Sequence, residues 1–184
     1  VTSIKHLIRS YGSYISVPWR SDVATAQRVI FCVYDEIDEL NLRAKIDEFE
    51  IVTRKSYHGW AVFDLTDTFA DWLSSQRYAK SYFQRPDLLL SSMSGYLSYI
   101  TEEFEKFLQE NAVTKDTVVA LKGVGSLFGL LKVKMVTDHL APLVEGKLLV
   151  FFPGSYEDNN YRLLDKYDGW DYLAVTITKG KNFE

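Results

Sequence analysis

Short, continuously apolar runs alternate along the chain with longer stretches in which apolar residues return every three or four positions. The first pattern suits a strand buried on both faces of a sheet, the second a helix with one face on a core. Ser3 to Tyr14 reads as a short helix carrying Ile4, Leu7 and Ile8 on one side, and Pro18 stops regular structure before residue 20. Arg28-Val-Ile-Phe-Cys-Val-Tyr34 is the first predicted strand. Asp38 is placed to cap a helix whose stripe is Leu42, Ile46 and Phe49. A second strand over Gly59–Leu65 leads to Thr66 or Asp67 as the cap of a helix that buries Phe69, Trp72 and Leu73. A longer helix over Ser92–Gln109 carries Met93, Tyr96, Ile100, Phe104, Phe107 and Leu108 on one stripe. Thr117–Leu121 is the third strand, and Gly123 to Ser126 turn the chain into a helix ending before Pro142. Lys147–Phe152 and Tyr172–Ile177 are the fourth and fifth strands, with Phe151 to Tyr161 between them read as a strand running into a long polar loop.

Alternating strands and helices imply right-handed crossovers and a parallel sheet covered on both faces. The expected fold is therefore α/β: one domain over 1–184, with 1–27 as an N-terminal helical or irregular extension. Its core is a mostly parallel five-stranded sheet with helices on both faces, a Rossmann-like or P-loop-ATPase-like three-layer sandwich without a functional Walker A loop. No internal repeat and no linker rich in Gly, Ser or Pro divides the chain. Ligands in such folds gather at the carboxyl ends of the strands. Here these are Tyr34-Asp35, Asp64–Asp67, Gly123–Ser126 and Pro153–Tyr156.

Composition adds bounds. At 184 residues, 47% hydrophobic and 25% charged, the chain is long and apolar enough for a real core. No apolar run approaches the roughly 20 residues that cross a bilayer, so no membrane span is expected. The chain begins at Val1 and shows no secretory leader, and its single cysteine, Cys32, sits mid-strand; a cytoplasmic protein is expected. The net charge of −4 argues against strong independent nucleic-acid binding, which draws on Lys and Arg. The charge is uneven: residues 35–50 hold seven acids against Arg43 and Lys45, whereas 76–86 hold Arg77, Lys80 and Arg85 and no acid.

Four features could carry chemistry. Gly123, Gly125 and Ser126 follow a strand, where backbone N–H groups can cradle a phosphate. The loop has Phe128 where a dinucleotide fingerprint needs glycine, and no Lys-Ser or Lys-Thr pair for a Walker A loop, so a tight turn is the alternative. Asp35 and Asp64, at corresponding strand ends, could hold Mg²⁺ or act as acid and base, or serve only in capping. The segment with Arg77, Tyr78, Lys80, Tyr82 and Arg85 interleaves cations and rings, which suits core packing, a protein interface or single-stranded nucleic acid. Ser155, Tyr156 and Asp158 form the polar recognition loop. His6, His58 and His139 lack zinc spacing, no serine lies in a nucleophile elbow, and no catalytic residue, metal or cofactor is assigned.

Taken together, Arg28-Val-Ile-Phe31, Gly123-Val-Gly-Ser-Leu-Phe128 and Leu149-Val-Phe-Phe-Pro-Gly-Ser-Tyr156 resemble the BrxB family over roughly residues 25–178. The resemblance implies a component of a BREX bacteriophage-exclusion system, which methylates host DNA and blocks replication of unmodified phage. It implies a non-catalytic assembly or accessory subunit whose partners are other BREX proteins: a large ATPase, an alkaline-phosphatase-like protein and the methyltransferase complex. Any DNA contact would be indirect or weak. The alternatives are a degenerate nucleotide- or phosphate-binding sensor and a weak DNA-binding module.

Overall fold

The computed structural model describes residues 3–170 and 172–180. Its strands are β1 (Val29–Tyr34), β2 (Gly59–Asp64), β3 (Thr117–Lys122), β4 (Lys147–Glu157), β5 (Asn160–Leu163), β6 (Lys166–Trp170) and β7 (Val175–Ile177). Its α-helices are α1 (Ser3–Ile15), α2 (Glu39–Arg43), α3 (Ile46–Lys55), α4 (Thr68–Ser75), α5 (Ala79–Gln84), α6 (Pro86–Ser91), α7 (Met93–Glu110) and α8 (Val133–Leu140).

The fold is α/β, but the sheet is mixed, which corrects the expectation of five mostly parallel strands. β2-β3-β4-β1-β7 run side by side in parallel, while β5 pairs antiparallel with the far half of β4 and with β6. The segment expected to be a polar loop is a hairpin. Asp158 and Asn159 both take positive φ (49° and 64°), the backbone of a tight primed turn that folds β5 back on β4. A third positive-φ residue in this stretch, Leu164, then feeds β6.

The continuously apolar strands are buried on both faces. Val29, Phe31 and Val33 of β1 join Trp72, Tyr96, Ile100, Phe104 and Val136 in one core under α4, α7 and α8. Ile30, Cys32 and Tyr34 join Ile4, Leu7, Tyr11, Ile15, Leu42 and Phe49 in another under α1 and α3. Thus the period of two in each strand sorts its side chains between two helical layers. α1 is part of the second layer, with Ile4, Tyr11 and Ile15 fully buried. The Thr53 hydroxyl donates to the Phe49 carbonyl (2.8 Å) and accepts from the Tyr11 hydroxyl (2.6 Å), tying α1 to α3. Thr68 does the same between the Leu65 carbonyl and the Tyr96 hydroxyl, tying α4 to α7.

Two helices depart from the expected pattern. The helix over 38–50 is broken at Ala44 and Lys45 into α2 and α3, with the Asp38 side chain making no cap bond. The chain after Gly123 forms a one-turn 3₁₀ segment, Val124–Leu127, and α8 starts only at Val133. The reason lies elsewhere in the sequence. Buried Asp168, on β6, accepts from the backbone N–H groups of Val133 (2.9 Å) and Lys134 (3.4 Å), capping α8 from across the fold.

Candidate functional site

At the carboxyl edge of the parallel strands, polar side chains are joined into a chain. The Tyr34 hydroxyl, at the end of β1, donates to Glu39, which accepts from Arg43 Nε at 2.7 Å. Arg43 Nη2 reaches Thr66 Oγ1 at 3.4 Å. Asp64 Oδ1 accepts from the Thr66 N–H (2.9 Å) and hydroxyl (2.6 Å), and Asp64 Oδ2 pairs with Lys122 Nζ at 3.3 Å. Burial works to raise the Asp64 pKa, yet Thr66 and Lys122 outweigh it and hold the carboxyl below its ordinary value. Burial first, then Glu39, pushes the Tyr34 phenol up. Asp35 faces Lys179 at 3.9 Å, so Asp35 and Asp64 have separate cationic neighbours. Among the described residues, no cluster of three or more His, Cys, Asp or Glu side chains is arranged to hold a metal ion.

The glycine loop packs directly on this chain. Gly123 has φ 73°, and a Cβ there would lie 2.3 Å from Thr66 Oγ1 and 2.8 Å from Asp64 Oδ1, so the two strand-end loops touch through a bare backbone. The Ser126 hydroxyl is directed at the Gly123 carbonyl (2.7 Å) and the Leu65 carbonyl (3.0 Å), and its N–H bonds the Gly123 carbonyl. Gly125 has ordinary clearance, its nearest neighbour being Pro153 at 3.6 Å.

The basic aromatic segment forms α5 and the turn before it, and α6 follows it directly, all between α4 and α7. Arg77, Lys80 and Arg85 are exposed; Arg77 lies 5.7 Å from the centre of the Tyr78 ring, and Arg85 pairs with Asp87 at 3.1 Å. Tyr82 is half-buried against the core and accepts from the Ser92 hydroxyl. Tyr78 precedes the helix and so does not share that face: it is 61% exposed, Phe83 73% and Leu90 63%. Ser155, Tyr156 and Asp158 lie together on the β4–β5 hairpin, with Ser155 opposite Arg162. The Tyr156 hydroxyl donates to Asn159 and its ring meets Tyr161, which is in the core. The structure thus places Lys80 and Tyr82 on α5, Arg77 and Tyr78 in the turn before it and Arg85 at its end, and gathers Ser155 to Asp158 on one hairpin. Glu39, Arg43 and Lys122 were missed by sequence reasoning, although Lys122 closing an apolar strand was a usable signal. The exposed Leu88 and Leu90 on α6 were missed because an isolated leucine carries no sign of its exposure.

A family model described as BREX protein BrxB matches residues 62–177. The chain belongs to the BrxB family. The matched segment runs from β2 through β7, and so includes the glycine loop, α5–α6 and the hairpin of this BrxB-family chain, while the Arg28–Phe31 strand lies before it. No curated protein and no solved structure matches it. No helix among the described residues is long and apolar enough to cross a membrane.

Proposed function

We propose that this BrxB-family chain acts in the cytoplasm as a non-catalytic assembly subunit of a BREX phage-exclusion system, docking other BREX components through α5–α6. The observation that carries this reading is the surface of α5, α6 and the turn before them: Tyr78, Phe83, Leu88 and Leu90 are exposed on the same stretch of chain as Arg77, Lys80 and Arg85. Monomeric proteins seldom leave several large apolar side chains together on one short segment, and Tyr and Arg are favoured anchors at protein interfaces. The cations call for a partner whose groove is apolar with an acidic rim. The polar groups at the carboxyl edge support the same reading, because Asp64, Thr66, Arg43 and Glu39 bond one another and the Ser126 hydroxyl is taken up by the Leu65 and Gly123 carbonyls.

The test is affinity co-purification from cells expressing a whole BREX operon, with Phe83→Ser and Tyr78→Ser introduced together. The double variant should lose the co-purifying BREX proteins, while its own unfolding free energy stays within about 0.5 kcal/mol of the parent, as for exposed positions generally. Undiminished recovery of every partner would remove α5–α6 as the docking surface, and elution of the parent chain alone would remove the assembly role.

A further inference from the structure

The amino-terminal edge of the sheet, opposite the strand-end loops, holds a cavity of about 440 Å³ between the Trp19–Val23 loop and the starts of β1 and β4. Its lining includes Trp19, Arg28, Lys115, Asp116, Glu145 and Lys147. Lys147 opens β4 and is 9% exposed. Buried lysines are rare unless an acid compensates them. Here the ammonium has no hydrogen-bond or ion-pair partner among the described residues; its neighbours are the rings of Trp19 and Tyr14, 5.1 and 5.4 Å away. Rings supply part of the lost solvation but no counter-charge.

Two further lining side chains carry unused donors. Arg28 spends Nη1 on the Glu145 carbonyl (3.3 Å) and Nη2 on Thr25 (3.4 Å), while its buried Nε has no partner. The buried Trp19 Nε1 has none either. One Trp19 contact is a stack on His58, with centroids 3.7 Å apart and planes within 10°. Buried polar groups are almost always bonded, so two unmatched buried donors, Arg28 Nε and Trp19 Nε1, beside the uncompensated Lys147 ammonium are a strong departure. The wall is close-packed: a Cβ at Gly146 would lie 2.1 Å from the Thr117 carbonyl oxygen, so the backbone leading into β4 approaches β3 closely beside Lys147. Asp22 holds Arg20 at the mouth (2.8 Å), leaving Lys115, Arg28 and Lys147 against Asp116 and Glu145.

We propose that this amino-edge cavity binds a small phosphate-bearing anion, with Lys147 as its counter-charge and Arg28 and Trp19 as its hydrogen-bond donors. The volume exceeds that of a bare phosphate and falls in the range of about 300–1,000 Å³ found for small-molecule pockets, so a phosphomonoester fits as well as the free ion. Burial, with Arg28 adding to it, lowers the Lys147 pKa, and a bound anion would act in the opposite direction by favouring the ammonium form. The cavity shares no lining residue with α5–α6.

The test uses the whole chain with inorganic phosphate, pyrophosphate and ribose 5-phosphate as probes, and sodium chloride at matched ionic strength as control. At about ten times Kd a probe should raise Tm by roughly 3–6 °C. It should also shift the Trp19 indole N–H resonance, assigned with Trp19→Phe. Lys147→Met removes the uncompensated charge and keeps the stem, so it should raise Tm without ligand and abolish the ligand-dependent rise. Arg28→Gln serves as the second variant if Lys147→Met does not fold, and should weaken binding about tenfold or more. The probe with the lowest Kd tells a free phosphate from a phosphomonoester. Silence of all three probes, reproduction of their effect by sodium chloride, or an unchanged response in both variants overturns the proposal.

Discussion

Gly123 is the position at which a single methyl group has the clearest consequence. Its φ of 73° disfavours any side chain, and the space a Cβ would take already holds Thr66 and Asp64. Gly123→Ala should destabilise the fold by about 1–3 kcal/mol through combined backbone strain and the push on the Asp64–Thr66 turn. Urea unfolding read by tryptophan fluorescence checks this, and a variant as stable as the parent would show that the loop gives way. The sequence pointed to this glycine, and both a phosphate cradle and a tight turn fitted what could be read. What separates them is not local. Thr66 lies 57 residues earlier, and its contact with Gly123 exists only because β2 and β3 are neighbours in register, Asp64 opposite Lys122. Lys147 was illegible for a related reason: next to Leu148 and Leu149 it reads as the polar start of a strand, and only the packed Tyr14 and Trp19 rings reveal its burial.

At the level of elements, legibility followed the source of each element's stability. The long α7 was readable because its own stripe, Met93 to Phe104, decides it, and the structure places it at Met93–Glu110. The parallel strands were readable because burial on both faces leaves an unbroken apolar run. The β4–β5 hairpin was not, since Asp158–Asn159 lacks the glycine that usually marks such a turn, and polar residues from Ser155 to Asn160 imitate a loop. The start of α8 was hidden for the opposite reason, because its cap is 35 residues away in the chain. Asp168→Ala should therefore fray α8 although no residue of α8 changes. The cost expected is about 1–2 kcal/mol, that of losing a helix N-cap, with some loss from the bond that the Tyr172 hydroxyl donates to the same carboxylate. Hydrogen exchange gives the local readout: the Val133 and Lys134 amides should lose protection while those of β3 keep theirs. Equal loss in both would mean that Asp168 holds up the whole sheet and not one helix end.

For the whole molecule, the titration of tyrosines reports on how the two cores depend on each other. Tyr11 is buried between α1 and α3, Tyr34 ends β1 beside Glu39, and Tyr172 lies over the other core beside Asp168. Burial, first in each case, pushes their phenols above the ordinary value of 10.0, and the neighbouring carboxylates push Tyr34 and Tyr172 further. In the unfolded chain these phenols ionise near pH 10, whereas the native state keeps them protonated, so above that pH the unfolded state binds fewer protons. The stability they support is complete below pH 10 and is lost as pH rises from there towards the raised native values. Each contributes a slope of about 1.4 kcal/mol per pH unit, and three acting together about 4 kcal/mol. Against a typical reserve of about 5–15 kcal/mol, the fold should fail cooperatively within a few pH units above 10. Alkaline titration followed by tyrosinate absorbance and circular dichroism should give two phases of absorbance, the second coinciding with loss of the dichroism signal. Because β1 supplies alternate side chains to both cores, that second phase should be a single transition for Tyr11, Tyr34 and Tyr172. Replacing Tyr34 by Phe should shallow the alkaline limb by one group's slope and leave the neutral plateau lower by about 1 kcal/mol for the lost bond to Glu39. If all tyrosines ionised in one phase with the dichroism unchanged, the two cores would be open enough to admit phenolate, and the sheet would not be the sealed partition that its burial on both faces describes.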